Sequence, residues 1–277
     1  MSIDVKNVSF CYNRGTPLQK LALDNISFSI NKGEFVLIGG EVGSGKSTLL
    51  RHFNGLLKPH SGSVTVSGIN TRDSKVRSKV GLLMQYPQKQ LFGKTVYEDV
   101  SFGPSNFGSK GEALGKQVND ALNLVGLSED ISVLSPFSLS GGQMRLVALA
   151  GVFSMEPEYL VLDEPTSGLD PENRSSLLSI LGKLHSSGIS IVVVSHQICE
   201  LLPFAEKVLI LKKGRIDFIG TPKEYLRSAP SSLPEITSLM KELQSAGFNV
   251  RDDIYSVDHA FLEINNALKE IGDKQHG

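Results

Sequence analysis

"GGEVGSGKST", residues 39–48, lies between a strand-sized apolar run, "EFVLI", and a helix-like stretch, "LLRHFNGLL". Gly40, Gly45, Lys46 and Ser47 have the spacing G-x-x-x-x-G-K-S, and a strand before with a helix after is the context that a phosphate-binding loop requires. In such a loop the backbone amides and the helix N-terminus hold the phosphates, Lys46 neutralises the β and γ oxygens, and Ser47 ligates Mg²⁺. A glycine-rich turn that merely allows tight packing is the plainer reading, and the residue set in its strand and helix context weighs against it. Behind the turn, Leu49, Leu50, Phe53 and Leu56 recur at helical spacing.

Outward from this loop, apolar runs of strand length alternate with longer helix-like segments from about residue 34 to 211, the pattern of an α/β fold. "SGSVTVSG" reads as a short antiparallel strand, and "SKVGLLMQYP" as a buried strand stopped by Pro87. Residues 95–138 carry helical patches such as "KQVNDALNLVGL", broken at "FGPSNFGSKG", and read as a helical insertion. The sheet resumes with "YLVLDEP", "SIVVVSH" and "KVLILKKGRIDFIG", the last a hairpin turning at Lys213 and Gly214. In "TPKEYL", Thr221 is a predicted N-cap, Pro222 the first helical residue, and Glu224 completes a capping box.

Composition narrows the class. The chain has 277 residues, 40% of them hydrophobic, enough for one large core or a main domain with a small one. A net charge of -1 and a pI near 6.6 give no general attraction to nucleic acid. Cys11 and Cys199 match no metal spacing and read as reduced thiols of a cytoplasmic protein. The start, "MSIDVKNVSF", has no apolar segment of the secretory kind. A membrane-spanning helix needs roughly 20 apolar residues, and none of the apolar runs is that long. Work at a membrane would then require docking on another subunit.

Further chemistry sits at strand ends, where ligand-binding residues of open α/β sheets collect. "LVLDE" puts Asp163 there as a hard oxygen ligand for Mg²⁺, and Glu164 as a general base for the attacking water. His196 ends "SIVVVSH"; a lone histidine is usually structural, but a strand end in a nucleotide-binding sheet is where a γ-phosphate would lie, which favours a functional role. Gln85 ends "GLLMQ", where its amide can ligate the metal and orient the water. Tyr12, in "FCYNRG", either stacks on adenine or is buried in the core.

A second glycine turn, "LSGGQ" at residues 139–143, has Ser140 as N-cap, glycines that allow close backbone approach and an amphipathic helix behind it, so it also favours an anion. It follows the helical insertion rather than a sheet strand, which sets it apart from the first loop. A second copy packed head to tail resolves this: each copy's serine-glycine turn closes over the nucleotide held by the other.

Taken together, "GGEVGSGKST", Gln85, "LSGGQ", "LVLDEP", "SGLD" and His196 stand in the order found in ATP-binding cassette (ABC) ATPases, and the chain resembles that family from about residue 3 to 221. The resemblance implies a P-loop NTPase fold with a RecA-like core, an antiparallel β subdomain and a helical subdomain at about 95–157. It implies ATP and Mg²⁺ as cofactors. Tyr12 would meet adenine, and Gly40, Gly43, Ser44, Gly45, Lys46, Ser47 and Thr48 the phosphates. Ser47, Gln85 and Asp163 would surround Mg²⁺. Glu164, His196, Lys46 and Gln85 would be the catalytic set. Ser140, Gly141, Gly142 and Gln143 would act on the neighbouring subunit's nucleotide, and Asp170 would link the two sites. Val42 departs from the family, which often has asparagine there, and this alters loop hydrogen bonding only modestly.

A narrower resemblance is carried by "MQYPQKQLFGKTVYEDVSFGPSNFG", "LAGVFSMEPEYLVLDEPTSGLDP" and "LPEITSLMKELQSAGF", which look like the ATPase subunits of energy-coupling factor (ECF) transporters. It implies uptake of a vitamin or transition-metal ion through a transmembrane coupling subunit and a substrate-binding membrane subunit, with the ATPase on the cytoplasmic face of the cell membrane. It also implies a docking groove near Gln88, Gln90, Leu91 and Phe92. The expected division is an ATPase domain over 1–228 and, after the linker "SAPSSLP", a dimerising appendage over 229–277. Within the appendage, Ile236, Leu239, Met240 and Leu243 share one helical face. Val257, Phe261, Ile264, Leu268 and Ile271 form a short coiled-coil-like stripe that packs either on its own domain or on a partner. A soluble ABC ATPase without a transport role, as in iron-sulfur assembly, is the alternative, together with an ATPase of another ABC importer class. A regulatory module without turnover is a further one, and the presence of both Glu164 and His196 argues against it.

Overall fold

The computed structural model describes residues 1–228 and 234–275, apart from the side chains of 269–275. Two sheets organise it. Strands β1 (Ser2–Tyr12), β2 (Lys20–Asn31), β4 (Ser61–Val66) and β5 (Ile69–Asn70) form an antiparallel sheet in the order β2-β1-β4-β5. Strands β3 (Phe35–Gly39), β6 (Val80–Leu83), β7 (Tyr159–Asp163), β8 (Ser190–Val194), β9 (Lys207–Lys212) and β10 (Arg215–Gly220) form the second sheet, in the order β10-β9-β3-β8-β7-β6. Its first five strands in chain order run parallel, and β10 returns antiparallel to β9 across the hairpin at Lys213 and Gly214.

The parallel strands are buried on both faces, which is why they read as unbroken apolar runs. Successive residues serve different cores. Val36 and Ile38 of β3, Tyr159 and Val161 of β7, and Val192 and Val194 of β8 pack toward the antiparallel sheet and α1 (Lys46–Phe53). Phe35 and Leu37, Leu160 and Leu162, and Ile191 and Val193 pack on the opposite side. There they meet α2 (Val96–Asn106), α3 (Gly111–Leu124), α4 (Gly141–Phe153) and α5 (Pro171–Ser186). After β8 comes the short α6 (Ile198–Leu201), and after β10 comes α7 (Pro222–Arg227), whose N-terminus has the predicted capping box of Thr221 and Glu224.

Two local expectations are corrected. The buried strand read in "SKVGLLMQYP" is only β6, ending at Leu83, and Pro87 instead opens a helical turn. The break read at "FGPSNFGSKG" is shorter than expected: α2 continues through Gly103 and Pro104 to Asn106, and only residues 107–110 separate it from α3. A proline inside a helix frees the carbonyl four residues back. Here that carbonyl is Val100 O, and the buried Ser154 hydroxyl donates to it at 2.7 Å.

Beyond the linker, of which residues 229–233 lie outside the described part, α8 (Glu235–Ser245) and α9 (Val257–Gln275) build a small core of their own. Met240, Val250, Ile254, Ala260 and Ala267 are buried in it, with Ile236, Leu243 and Ile264 against them. The expected stripe is split. Alanines allow α9 to approach closely, so Ala260 and Ala267 face inward beside Ile264, while Val257, Phe261 and Leu268 are 67%, 66% and 51% exposed. Leu239 likewise turns outward. Ile271 lies outside the described side chains.

Candidate active site

The loop after β3 is shaped by two glycines in left-handed backbone. A Cβ on Gly40 would run into the Leu211 carbonyl, and one on Gly45 into the Ala22 carbonyl, so no other residue fits without displacing the neighbouring strands. The loop is further tied to the β9–β10 turn by Gly214 N donating to Ser44 O at 3.0 Å. Gly43, also at positive φ, and Val42, 98% exposed, form its outer edge.

Lys46, the first residue of α1, folds back beneath the loop and donates to Gly40 O at 2.6 Å and Glu41 O at 2.9 Å. Burial pulls its ammonium down from the ordinary lysine value, and the carboxylates of Glu164 and Asp163 oppose that pull. Those two acids stand at and just past the end of β7, one strand removed from β3 across β8. Asp163 is 6% exposed, and its Oδ1 is buried without a hydrogen-bond partner. Burial pushes its carboxyl up, against the Ser47 hydroxyl, Arg51 and Lys46, which favour the charged form. Ser47 and Asp163 are thus neighbours although more than a hundred residues separate them.

Glu164 occupies left-handed backbone, at φ 51, with its N–H donating to Val194 O at 2.9 Å. That conformation is uncommon for a non-glycine residue and stores strain of about 1 kcal/mol. It turns the carboxylate toward the end of β8, where His196 Nδ1 lies 2.8 Å from Glu164 Oε2. Gln85 lies exposed just past β6, which pairs with β7. Tyr12 ends β1 with its hydroxyl 3.1 Å from Thr48 Oγ1, so the tyrosine ring borders the first turn of α1. It is neither fully buried nor free of contact, since Phe10 meets it edge-on at 5.0 Å.

The second turn is elsewhere. Ser140 caps α4 as expected: its Oγ accepts from Gln143 N at 3.2 Å and its N–H donates to Gln143 Oε1 at 3.1 Å. Ser140 and Gly141 are exposed, and Gly142 faces the Asn173 side chain at the start of α5. Asp170 caps that helix, accepting from Asn173 N at 2.9 Å. Among the described residues no hydrogen bond joins this turn to the loop around Lys46. The fold therefore gathers residues 40–48, Asp163, Glu164 and His196 at the C-terminal ends of the parallel strands, with Tyr12 bordering them from the other sheet, and presents Ser140–Gln143 and Asp170 apart from it.

Sequence reasoning missed several neighbours. Arg145 donates to Pro165 O and Ser167 O, both at 2.9 Å. Phe102 meets Phe92 edge-on at 4.7 Å, and with Gln90, Leu91, Gly103 and Met155 they line a groove on the helical layer. Gln90 turns inward there, bonding Met84 N and Leu82 O at the end of β6.

Residues 23–167, from the second strand through the loop after β7, match the family model described as ABC transporter. The chain belongs to the ABC transporter family. It is 44% identical to "Energy-coupling factor transporter ATP-binding protein EcfA2" of Caldanaerobacter subterraneus, over 97% of this chain and 98% of that protein. The protein of the same name from Clostridium perfringens is 42% identical over 98% of each chain. Among solved structures, cbiO1 of Clostridium perfringens, described as part of the ABC transporter complex cbiONQ, superposes with a TM-score of 0.73 at 35% identity, covering 87% of this chain and 93% of that one. A dimeric ATP-binding cassette in a post-hydrolysis state with ADP and Pi superposes with a TM-score of 0.71 at 32% identity, over 79% and 98%. Within the ABC family the chain is an ATPase of the energy-coupling factor type, with the P-loop cassette fold expected from its motifs.

Proposed function

We propose that this ABC ATPase powers an ECF-type importer from the cytoplasmic face of the cell membrane, coupling ATP binding and hydrolysis to uptake of a vitamin or transition-metal ion. The observation that carries the reading is the full-length match, appendage included, to relatives named for energy-coupling factor transporters. No helix among the described residues is long and apolar enough to cross a membrane, so the transport path belongs to partner subunits. The exposed Phe92 and Phe102 on the helical layer supply an apolar seat for a coupling helix of such a partner.

The proposed division is an ATPase unit over 1–228, with its helical part at about 95–157, and an appendage over 229–277 that pairs with a second ATPase subunit through Val257, Phe261 and Leu268. Tyr12 stacks on adenine, while Gly40, Gly43, Ser44, Gly45, Lys46 and Thr48 hold the phosphates. From the neighbouring subunit Ser140, Gly141 and Gly142 close over the γ-phosphate, Gln143 fixes that turn through its bond to Ser140, and Asp170 links the sites. Glu164 accepts a proton from the attacking water, and His196, bonded to it, orients the carboxylate and faces the γ-phosphate.

Mg²⁺ fits this site, since Asp163 Oδ1 is buried without a partner beside Ser47 and the donor set of hydroxyl, amide and carboxylate is one of hard oxygens. Ser47, Gln85 and Asp163 would hold it. When bound it neutralises charge developing on the phosphates.

Affinity purification of the chain from detergent-solubilised membranes tests the reading. An integral coupling subunit and a second, cargo-choosing membrane protein are expected to come with it, in a complex that releases phosphate from ATP. A chain recovered only with soluble partners would support the soluble ABC ATPase instead.

A further inference from the structure

We infer that Arg145 is a positioning residue for Glu164, joining the helix behind the serine-glycine turn to the loop that carries the base. The inference rests on the proposed role of Glu164. The Arg145 guanidinium forks onto two carbonyls of one loop, Nη1 to Pro165 O and Nη2 to Ser167 O, each at 2.9 Å. Pro165 directly follows Glu164. Among the described residues no carboxylate is ion-paired with Arg145. A partly buried cation is therefore committed to backbone oxygens alone, and burial works against its charge. Two parallel bonds from a planar fork fix orientation as well as distance, which a single donor does not.

The loop needs such a hold. Glu164 sits in left-handed backbone, anchored upstream by its N–H on Val194 O. Downstream, Ser167 N donates to Glu164 O at 3.2 Å and Leu169 N to Thr166 O at 3.2 Å, so the segment bends back on itself. Those bonds lie within the loop, whereas Arg145 ties it to a different layer. Its carbonyl contacts sit on both sides of the buried Thr166, and they hold the turn that aims the Glu164 carboxylate at His196.

The helix that carries Arg145 is the one that Ser140 caps. In the proposed head-to-tail dimer its N-terminal turn faces the neighbouring subunit's triphosphate, and the arginine little more than a turn later holds the base of its own site. A side chain added at Gly142 would reach Asn173, itself bonded to Asp170, so the start of α4 also borders the start of α5.

The test compares the parent, Arg145→Ala, Arg145→Lys, Glu164→Gln and the double variant Arg145→Ala/Glu164→Gln, each purified as the full chain with its membrane partners. Arg145→Ala is expected to lower kcat about tenfold to a hundredfold, the scale of a misplaced catalytic group, with KM and ATP affinity within about twofold. Arg145→Lys is expected to fall between it and the parent. In the Glu164→Gln background, Arg145→Ala is expected to add less than about twofold, because the two act through one group. A parent-like kcat in Arg145→Ala, or losses that multiply in the double variant, would overturn the inference. Should the alanine variant fail to assemble, the same cycle with Arg145→Lys decides by the same criterion. Parent-rate hydrolysis by Glu164→Gln would instead remove Glu164 as the base, and this inference with it.

Discussion

Glu164 Oε2 and His196 Nδ1 are hydrogen-bonded at 2.8 Å, although 32 positions separate them in the chain. The pair brings together the ends of two neighbouring parallel strands, and Glu164 makes it from left-handed backbone. The first prediction follows. Glu164→Gln keeps a hydrogen-bonding group of the same size yet cannot take a proton, so phosphate release is expected to fall at least about a hundredfold, near 3 kcal/mol of barrier. Binding of ATP, followed with a fluorescent analogue, stays at the parent level. His196→Ala is expected to lower kcat in the same assay while costing about 1 kcal/mol of stability, the scale of one side-chain hydrogen bond to a half-exposed imidazole.

Asp163 should behave oppositely in stability and in function. Burial raises its folded-state pKa above the unfolded one. An acid shifted that way favours the folded state at pH below its ordinary value, and the contribution is lost as pH rises through the raised value. Near neutral pH the buried Asp163 carboxyl therefore opposes folding of the ligand-free chain. Asp163→Asn is expected to melt at a higher temperature than the parent at pH 7, with the difference shrinking toward pH 4. On addition of ATP with Mg²⁺, the parent gains thermal stability and the variant gains much less.

Ser140→Ala separates capping from catalysis. Loss of the capping box at the start of α4 is expected to cost about 1 kcal/mol in chemical unfolding. Because the turn is not bonded to the chain's own phosphate loop, ATP affinity of the dilute single subunit remains unchanged. Hydrolysis in the assembled complex falls at least about tenfold, as expected for removing one donor to the transferred phosphate. A drop in single-subunit affinity as large as the drop in rate would show that the turn acts on its own nucleotide.

Two changes in the phosphate loop contrast steric need with family habit. Gly45→Ala places a methyl group against the Ala22 carbonyl in left-handed backbone and is expected to destabilise the fold by about 2–4 kcal/mol. Val42→Asn restores the residue common in the family at a 98% exposed position, and its stability is expected to stay within about 0.5 kcal/mol of the parent. Thermal unfolding of both variants checks the pair.

Local signals carried most of the site. The phosphate loop, the Thr221 capping box, the Ser140 N-cap and the acids at the end of β7 were legible because each is written in contiguous residues whose backbone conformation depends on little else. What escaped depends on tertiary partners. Helix α2 runs through Pro104, and Ser154, fifty residues on, supplies the donor that Val100 O loses there. The α9 stripe gave a face but not its direction: Ala260 and Ala267 permit the closer approach, so the larger side chains on the other side stayed outside. Arg145 was one more basic residue in a helix until the loop that it clamps was beside it. The Glu164–His196 bond was equally invisible, since each residue was placed at its own strand end without a register between them.

The ammonium of Lys46 already has two carbonyl oxygens of its own loop as partners. Two of its three N–H donors are thus committed within the loop, so a phosphate held there as proposed gains one free donor and otherwise exchanges contacts already made around one nitrogen. Much of the ordering entropy of the loop has been spent during folding. The enthalpy change from this nitrogen on capture is therefore modest, and a calorimeter comparing ADP with ATP will register chiefly what the terminal phosphate adds elsewhere.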